Sequence, residues 1–261
     1  MNFKILFYIF FIFALFQKSA FADEININSS KIKVLDEGNI ISALNVKVDI
    51  PNKKIEIEGD KSIYDKENSQ LTIINNVKYF DHSKNVYIEG EKVIYNQLTD
   101  LIQTFGTTFF SIEDKYYVYS NDLFYDRKSE KIYSNKETII KDNKENIFNL
   151  EDSFVFDLNN KTISSDKTNI IDNNNNEYKY EKAKIDLKNN AIAGKELKVN
   201  FLDSYFGNPD NDPILKGRGG SLTKLSETYK PFYYPFAVDL TIKHEKAHWI
   251  EDEVDLSEDV T

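Results

Sequence analysis

Hydrophobic positions recur along the chain with a period of about 30 residues, which is the pattern of a repeat architecture. Five copies align on an aromatic or aliphatic anchor residue, and successive anchors are 31, 30, 31 and 29 residues apart: Tyr64, Tyr95, Tyr125, Phe156 and Ile185. Seven residues after each anchor there is always a leucine or an isoleucine: Leu71, Ile102, Ile132, Ile163 and Ile192. This agreement indicates that every copy buries the same positions.

Within each copy, apolar and polar residues alternate, as in Val77-Lys78-Tyr79, and a period of two predicts β-strands. Polar clusters such as 65–68, 126–129 and 159–161 separate these segments, so each copy comprises two short strands with a turn about every 15 residues. Between residues 23 and 201 no segment sustains the i, i+3, i+4, i+7 spacing of an amphipathic helix. The sequence therefore predicts an all-β fold of stacked antiparallel strands.

The alternation gives the predicted sheet one apolar face and one charged face. A single sheet cannot leave an apolar face in water, so it must curl, double over or cover that face with a ligand. Stacked repeats also end in open strand edges, which can pair with another chain. Periodicity leaves two alternatives open: a closed core of packed side chains, or an apolar groove that holds a ligand.

The N-terminus has the layout of a secretory signal peptide. Lys4 precedes an apolar run from Ile5 to Phe16, and Ala20-Phe21-Ala22 has the small-x-small pattern of a cleavage site. Gln17 and Lys18 interrupt the run before it reaches the roughly 20 apolar residues of a membrane-spanning helix. We therefore expect cleavage after Ala22 and export of the chain.

Charge and cysteine content narrow the possible partners. The net charge is −10, and it becomes −12 after cleavage because residues 1–22 contain two lysines and no acidic residue. Such an acidic chain is a poor electrostatic match for nucleic acid or an anionic membrane surface. Cysteine is absent, so stability must come from apolar burial and backbone pairing rather than from disulfides.

Several segments resemble the OstA-like family of lipopolysaccharide-assembly proteins, to which LptA and the N-terminal periplasmic domain of LptD belong. The resemblance covers about residues 23 to 220, and the closing stretch is similar to the end of the LptD periplasmic domain. The segments that carry it are Glu58–Tyr64, Ile73–Val77, Glu89–Tyr95, Ile192–Leu197, Phe206–Asn208 and Asn211–Gly219.

The resemblance implies a V-shaped β-jelly roll over residues 23–205, located in the periplasm and associated with the outer membrane. It implies that acyl chains of lipopolysaccharide occupy the apolar interior and that similar bridge domains join by pairing their edge strands. No cofactor, metal or enzymatic activity is expected. The candidate lipid-binding residues on the interior face are Tyr64, Leu71, Tyr79, Val93, Tyr95, Ile102, Phe110, Leu123, Tyr125, Ile132, Ile140, Phe154, Phe156 and Ile163.

The chain departs from a full LptD in two respects, since that protein continues into a transmembrane barrel and carries cysteines near the junction. We therefore expect a truncated product, with residues 206–228 as a linker. Residues 229–261 resemble instead the N-terminal stretch of a ribonucleotide reductase small subunit, a cytoplasmic helical enzyme. They predict a foreign helical tail and a chimeric chain, and the chain ends before any of that family's iron ligands.

One pattern in the tail resembles a catalytic motif. His244-Glu245-x-x-His248 has the spacing of a zinc-peptidase site, but a third ligand is required and the remaining histidine, His82, lies in a charged turn. Two hypotheses follow for the whole protein. It is a lipid-carrying transport module, or it is an exported structural β-repeat protein with a closed core and no lipid ligand.

Overall fold

The protein is all-β, and its strands form one continuous antiparallel sheet. The computed structural model describes residues 24–173, 175–200, 214–224 and 238–241, so the predicted signal peptide lies outside the described residues. The described strands are β1 Asn26–Leu35, β2 Ile40–Ile50, β3 Ile55–Asp65, β4 Gln70–Asp81, β5 Val86–Asn96, β6 Leu101–Ile112, β7 Tyr116–Asn121, β8 Phe124–Asp126, β9 Lys131–Ser134, β10 Thr138–Asp142, β11 Ile147–Leu150, β12 Phe154–Asp157, β13 Thr162–Ile171, β14 Glu177–Asp186, β15 Ala191–Asn200, β16 Ile214–Lys224 and β17 Val238–Thr241. Single 3-10 turns lie at Asp36–Gly38 and Pro51–Lys53. Over the described residues, no helix has the length and apolar character needed to cross a membrane.

The polar clusters between strands form the turns, as predicted from the sequence. In a representative turn, Asp126 Oδ1 accepts the backbone N–H of Ser129 at 3.1 Å, and Glu130 closes the turn with a positive φ of 53°. Short acidic and amide side chains stabilise turns because they accept hydrogen bonds from the backbone two or three residues onward. The residues that cap turns in this way are Asp65, Asp81, Asn96, Asp126, Asp142, Asp157, Asp172 and Asp186.

The long strands are bent near their middles, and the bends align as a crease across the sheet. The ladder between β3 and β4 shifts register between Glu58 and Lys61, and the ladder between β4 and β5 shifts between Ile74 and Val77, as at a β-bulge. Beyond β6 the bend becomes a break, so that β7 and β8, β9 and β10, and β11 and β12 take the place of single long strands. Residues with positive φ recur along the crease one or two repeats apart: Asn45, Asn76, Gly106, Lys167 and Glu196.

The sheet is folded in half along this crease. Ile102 lies opposite Tyr125 in the ladder between β6 and β8, and Phe110 is eight residues further along β6. If β6 were straight, Phe110 would lie about 26 Å along the strand from Ile102 and from its neighbour Tyr125. The ring centroids of Phe110 and Tyr125 are nevertheless 6.4 Å apart. The two halves of the sheet therefore face each other across a shared interior.

Apolar side chains from both halves fill this interior as one cluster, which runs from Ala43 in β2 to Val199 in β15. The prediction of an all-β fold built from antiparallel strands is confirmed. A sheet doubled over on itself, with turns at both ends of each strand, is also the arrangement expected of a β-jelly roll. The apolar face is thus covered by the sheet itself.

The sheet extends into the segments that were assigned to a linker and a tail. Residues 214–224 form β16, which pairs along β15 from Ala191↔Thr223 to Asn200↔Ile214. Residues 238–241 form β17, which pairs with β16, so the predicted helical structure of the tail is wrong for these residues. Glycine weakens strands, so the glycines at 217, 219 and 220 indicated a linker, but all three pair with residues of β15. Residues 242–261 lie outside the described residues, and the foreign origin of the tail stays a prediction.

Candidate functional site

The fourteen candidate residues on the interior face all lie in or against the single core. Thirteen are fully buried, with no more than 2% of their surface exposed, and Tyr64 is partly buried against the same cluster. The residues seven positions after the anchors share this environment: Leu71, Ile102, Ile132 and Ile163 are inaccessible, and Ile192 is partly buried. The sequence pattern therefore identified the interior correctly. In the described residues these side chains are packed against one another, and their role in binding lipid stays a prediction.

The interior is closed along its mouth by two rows of turns that meet. The first row consists of the turns 36–39, 66–69, 97–100, 127–130, 158–161 and 187–190, and the second consists of 51–54, 82–85, 113–115, 143–146 and 172–176. Backbone hydrogen bonds join neighbouring turns within each row, for example from Gln97 N to Ser69 O at 2.9 Å and from His82 N to Lys54 O at 3.0 Å. We call the line along which the two rows meet the seam.

A cluster of buried charges holds the two rows together at the centre of the seam. Arg127 of the first row donates from Nε to Asp81 Oδ2 at 2.6 Å, at the start of a second-row turn. The same guanidinium donates from Nη1 to Asp100 Oδ2 at 2.9 Å and from Nη2 to Lys53 O at 3.2 Å. Lys53 Nζ of the second row donates to Asp100 Oδ1 at 3.0 Å. The side chains of Asp81 and Arg127 are 0% and 7% exposed.

Two anchor tyrosines extend this cluster from below. Tyr125 donates its hydroxyl to Asp81 Oδ2 at 3.2 Å, and Tyr95 donates to Asp100 Oδ1 at 2.8 Å. Their rings belong to the apolar core while their hydroxyls belong to the seam, which is the usual arrangement of a buried tyrosine. We call the four charged residues Lys53, Asp81, Asp100 and Arg127, together with these two hydroxyls, the clasp.

The environment of the clasp favours the charged forms of Arg127 and Asp100. Burial works against the charge of Arg127, yet its hydrogen bond to Asp81 and the nearby carboxylates leave its pKa raised above the ordinary value. Burial likewise acts to raise the pKa of Asp100, but hydrogen bonds from Lys53 and Tyr95 and the charge of Arg127 leave that pKa lowered. Burial raises the pKa of Tyr95 and of Tyr125, and the neighbouring carboxylates add to it. Both tyrosines therefore remain hydroxyl donors.

The remainder of the seam changes character towards the C-terminus. Lys84 pairs with Glu130 and Lys161 pairs with Glu113 across the rows, but these side chains are a quarter to a third exposed. Below the second pair, Tyr116 and Phe156 make an edge-to-face contact with ring centroids 5.5 Å apart. Leu158 occupies the turn position that Arg127 holds one repeat earlier, and it is buried. The seam is thus a buried ionic cluster at its centre, and beyond the centre an apolar contact lies beneath a more exposed ion pair.

The rows are offset, which leaves the N-terminal end of the interior uncovered. The ion pairs across the seam join residues 46 to 48 positions apart in sequence. With that offset, turns 36–39 and 66–69 have no second-row partner among the described residues. Ile32 and Val34 of β1 lie opposite Ala43 and Ile41, on the interior side of the sheet, yet they are 50% and 62% exposed.

Sequence reasoning missed the clasp because its members are turn residues far apart in the chain. The signal was present in the repeat alignment. The position of Asp81 is occupied by Ile50 and Ile112 in the adjacent copies, and both isoleucines are buried. A charged residue at an apolar repeat position indicates a buried partner of opposite charge. As for metals, the described residues contain no group of three histidine, cysteine or acidic side chains placed to hold an ion.

Comparisons with known proteins give a likeness in structure and none in sequence. No protein-family model matches the chain, and no curated protein is significantly similar to it in sequence. Among solved structures, the chain is similar to LptH, described as the LptA homologous periplasmic component of the conserved lipopolysaccharide transport device from Pseudomonas aeruginosa. The likeness covers 55% of this chain and 82% of that chain, with 10% sequence identity and a TM-score of 0.24. A TM-score this low carries no argument for the fold, so the fold described above rests on this chain's own strand pairing.

Proposed function

We propose that this protein binds lipopolysaccharide in the periplasm and passes it toward the outer membrane, with the acyl chains held between the two halves of the sheet. The observation that carries the proposal is the construction of the interior. It is continuous and apolar, and the contacts that close its mouth across the seam are side-chain contacts rather than a ladder of paired strands. Parting the seam would expose an apolar trough while every strand ladder stays intact.

The trough would have the chemistry that acyl chains require. Each methylene that moves from water into an apolar environment gains about 0.8 kcal/mol, so ten methylenes would gain roughly 8 kcal/mol. Residues such as Ile102, Ile132 and Ile163 present only hydrocarbon to the interior. The resemblance of Glu58–Tyr64 and Glu89–Tyr95 to the OstA-like repeat supports lipopolysaccharide as the amphiphile.

The first strand offers the surface for a partner. Among the described strands, β1 pairs with β2 alone, so its other edge presents unpaired backbone groups. The interior side chains Ile32 and Val34 are exposed beside that edge. Strand addition by another OstA-like domain would pair the edge and continue the apolar interior into the neighbouring protein. This is the partner we propose, in addition to lipopolysaccharide itself.

One observation favours a second function. Thirteen of the fourteen interior candidates are already inaccessible, which is the condition of a structural core that takes no ligand. An exported structural β-repeat protein would need only this packing. The two functions differ in one respect, because only the carrier must admit lipid to a side chain such as Ile132.

Photo-crosslinking of the exported chain to lipopolysaccharide tests the proposal. A photoreactive residue replaces Ile132, which is buried in β9, or the adjacent Lys131, whose side chain lies on the opposite face. Saturable crosslinking at 132 with none at 131 is the expected result. A folded 132 variant that gives no crosslink at saturating lipid would refute the carrier and leave the structural function.

A further inference from the structure

We propose that the clasp is the door of the interior: acyl chains pass through the seam between the second-row turn 82–85 and the first-row turn 127–130, when Asp81 and Arg127 part. The proposal rests on the lipid-carrying function and adds the place where lipid is admitted. It assigns the apolar stretch of the seam, at Leu158 and Phe156, to permanent closure.

The first argument is the placement of charge where the repeat provides hydrocarbon. Ile50, Asp81 and Ile112 occupy one position in three successive copies, and all three are buried to within 2%. Arg127 and Leu158 are the corresponding pair in the first row, each two residues after its anchor. An apolar contact at this point of the seam was therefore available to the fold. Among these three copies, the one at the centre of the seam has an ion pair in place of the apolar contact.

The second argument concerns what happens to each kind of contact when the seam parts. Buried ions recover their hydration when water reaches them, so the open state of an ionic seam is stabilised relative to that of an apolar seam. Apolar side chains gain nothing from water, so parting them is opposed by the full hydrophobic effect. A buried ion pair is thus a weak seal, even though the hydrogen bonds of the clasp fix one closed geometry.

The third argument is that the clasp lies directly over the interior. The hydroxyls of Tyr95 and Tyr125 bond to its carboxylates, and the rings below them are part of the core. Phe110 packs edge to face on Tyr125 from the opposite half of the sheet. When Asp81 and Arg127 separate, the gap therefore leads to these aromatic rings. No strand ladder has to break, because Asp81 ends β4 and Arg127 follows β8.

The test replaces the clasp with the hydrocarbon that neighbouring repeats use. The double variant Asp81→Ile/Arg127→Leu removes both charges together, so no buried charge is left without its partner. The control double variant Lys182→Gln/Asp166→Asn removes an exposed ion pair of 3.4 Å from the middles of β13 and β14, away from the seam. A single variant, Asp81→Asn, weakens the clasp, so its effect on opening of the seam should be opposite to that of the double variant. It remains informative if the double variant fails to fold.

Two measurements are made on the exported chain. Hydrogen exchange without lipid reports parting of the seam at the amides of turns 82–85 and 127–130. The rate of crosslinking of purified lipid A to a photoreactive residue at 132 reports admission. In the double variant we expect at least tenfold slower exchange and at least tenfold slower crosslinking. Asp81→Asn should accelerate exchange at the same turns, and the control should match the unaltered chain in both assays.

The outcomes separate the door from the carrier function. Unchanged exchange and crosslinking in the double variant would overturn the door while leaving lipid binding established. If the unaltered chain never crosslinks lipid A, the carrier function fails, and the proposed door fails with it. Exchange that slows at the two turns while crosslinking keeps its rate would show that lipid enters elsewhere, which also overturns the proposal. Faster exchange in Asp81→Asn that spreads evenly over all strands would indicate global unfolding and count against a local door.

Discussion

Two stretches of the seam join the same two rows of turns by opposite kinds of contact, one ionic and one apolar. At its centre, Arg127 and Asp81 bridge the rows of turns with charge, whereas one repeat later Leu158 and the ring of Phe156 close the same gap with hydrocarbon. The strand ladders beside the two stretches are built alike. The comparison teaches that the backbone repeat fixes where the seam lies, while the side chains decide how firmly each stretch of it is closed.

The largest effect should come from removing one charge of the ionic stretch. Arg127→Met leaves Asp81 buried without its cationic partner, and it removes one of the two cations that contact Asp100. Removing one partner of a buried ion pair costs about 3–5 kcal/mol. We expect the free energy of unfolding, measured by urea denaturation, to fall by that amount. The double replacement Asp81→Ile/Arg127→Leu should restore most of the loss. A loss below about 1 kcal/mol, the range of an exposed pair, would show that the clasp is hydrated in solution.

A smaller but still substantial effect is expected in the apolar stretch. Leu158→Ala deletes buried hydrocarbon from the turn 158–161 and leaves a cavity, which costs about 2–4 kcal/mol. Leu98, which is exposed in the turn 97–100, provides the matched control, and Leu98→Ala should change the free energy of unfolding by less than about 0.5 kcal/mol. Equal losses in the two variants would mean that the seam is not closed at Leu158.

The buried ionic stretch should also respond to acid through Asp100. The pKa of Asp100 is lowered in the folded protein, so its contribution to stability is present above the unfolded pKa of about 4 and is lost as pH falls through the folded value. Urea titrations between pH 2 and 6 should show a smaller acid-induced loss in Asp100→Asn than in the unaltered chain. Parallel pH profiles for the two proteins would contradict this assignment.

The smallest effect belongs to the exposed pair beside the clasp. Glu130→Gln removes the contact with Lys84, whose side chain is about a third exposed, and such pairs contribute about 0.2–1 kcal/mol. The loss should diminish further in high salt, since an exposed pair is screened. A loss as large as that of Arg127→Met would mean that charge at the seam matters more than burial.

The strands and the interior were accessible from the sequence because both depend on local periodicity. The aliphatic residue seven positions after each anchor, such as Ile132, predicted a buried face without any knowledge of pairing partners. The crease was not predictable, because most of its residues with positive φ are asparagine, lysine or glutamate, as at Asn76 and Lys167. Glycine, the residue that usually marks such a conformation in a sequence, is mostly absent from these positions. The repeat alignment marks Asp81 as a charge at an apolar position, but it does not identify the partner, because Arg127 is 46 positions away and resembles an ordinary turn residue.

Strand β16 is a strand that local composition did not predict. Its glycines predicted a linker, yet the ladder from Leu215↔Val199 to Gly219↔Lys195 is continuous apart from one position at the crease. The edge of a neighbouring strand offers backbone hydrogen bonds whatever the side chains are. Local composition therefore underestimates strands that are added at the end of a sheet.

The rows of stacked turns make the length of the roll adjustable. Each first-row turn repeats the same backbone bond to the turn before it, from Lys66 N to Asn39 O and onward to Leu187 N and Lys161 O. Because each unit docks only on its neighbours, excising or duplicating one pair of strands would shorten or lengthen the molecule without altering the rest. Such a change removes or adds one turn in each row, so the remaining turns of the two rows would still meet along the seam. The size of the interior is thus set by the number of copies.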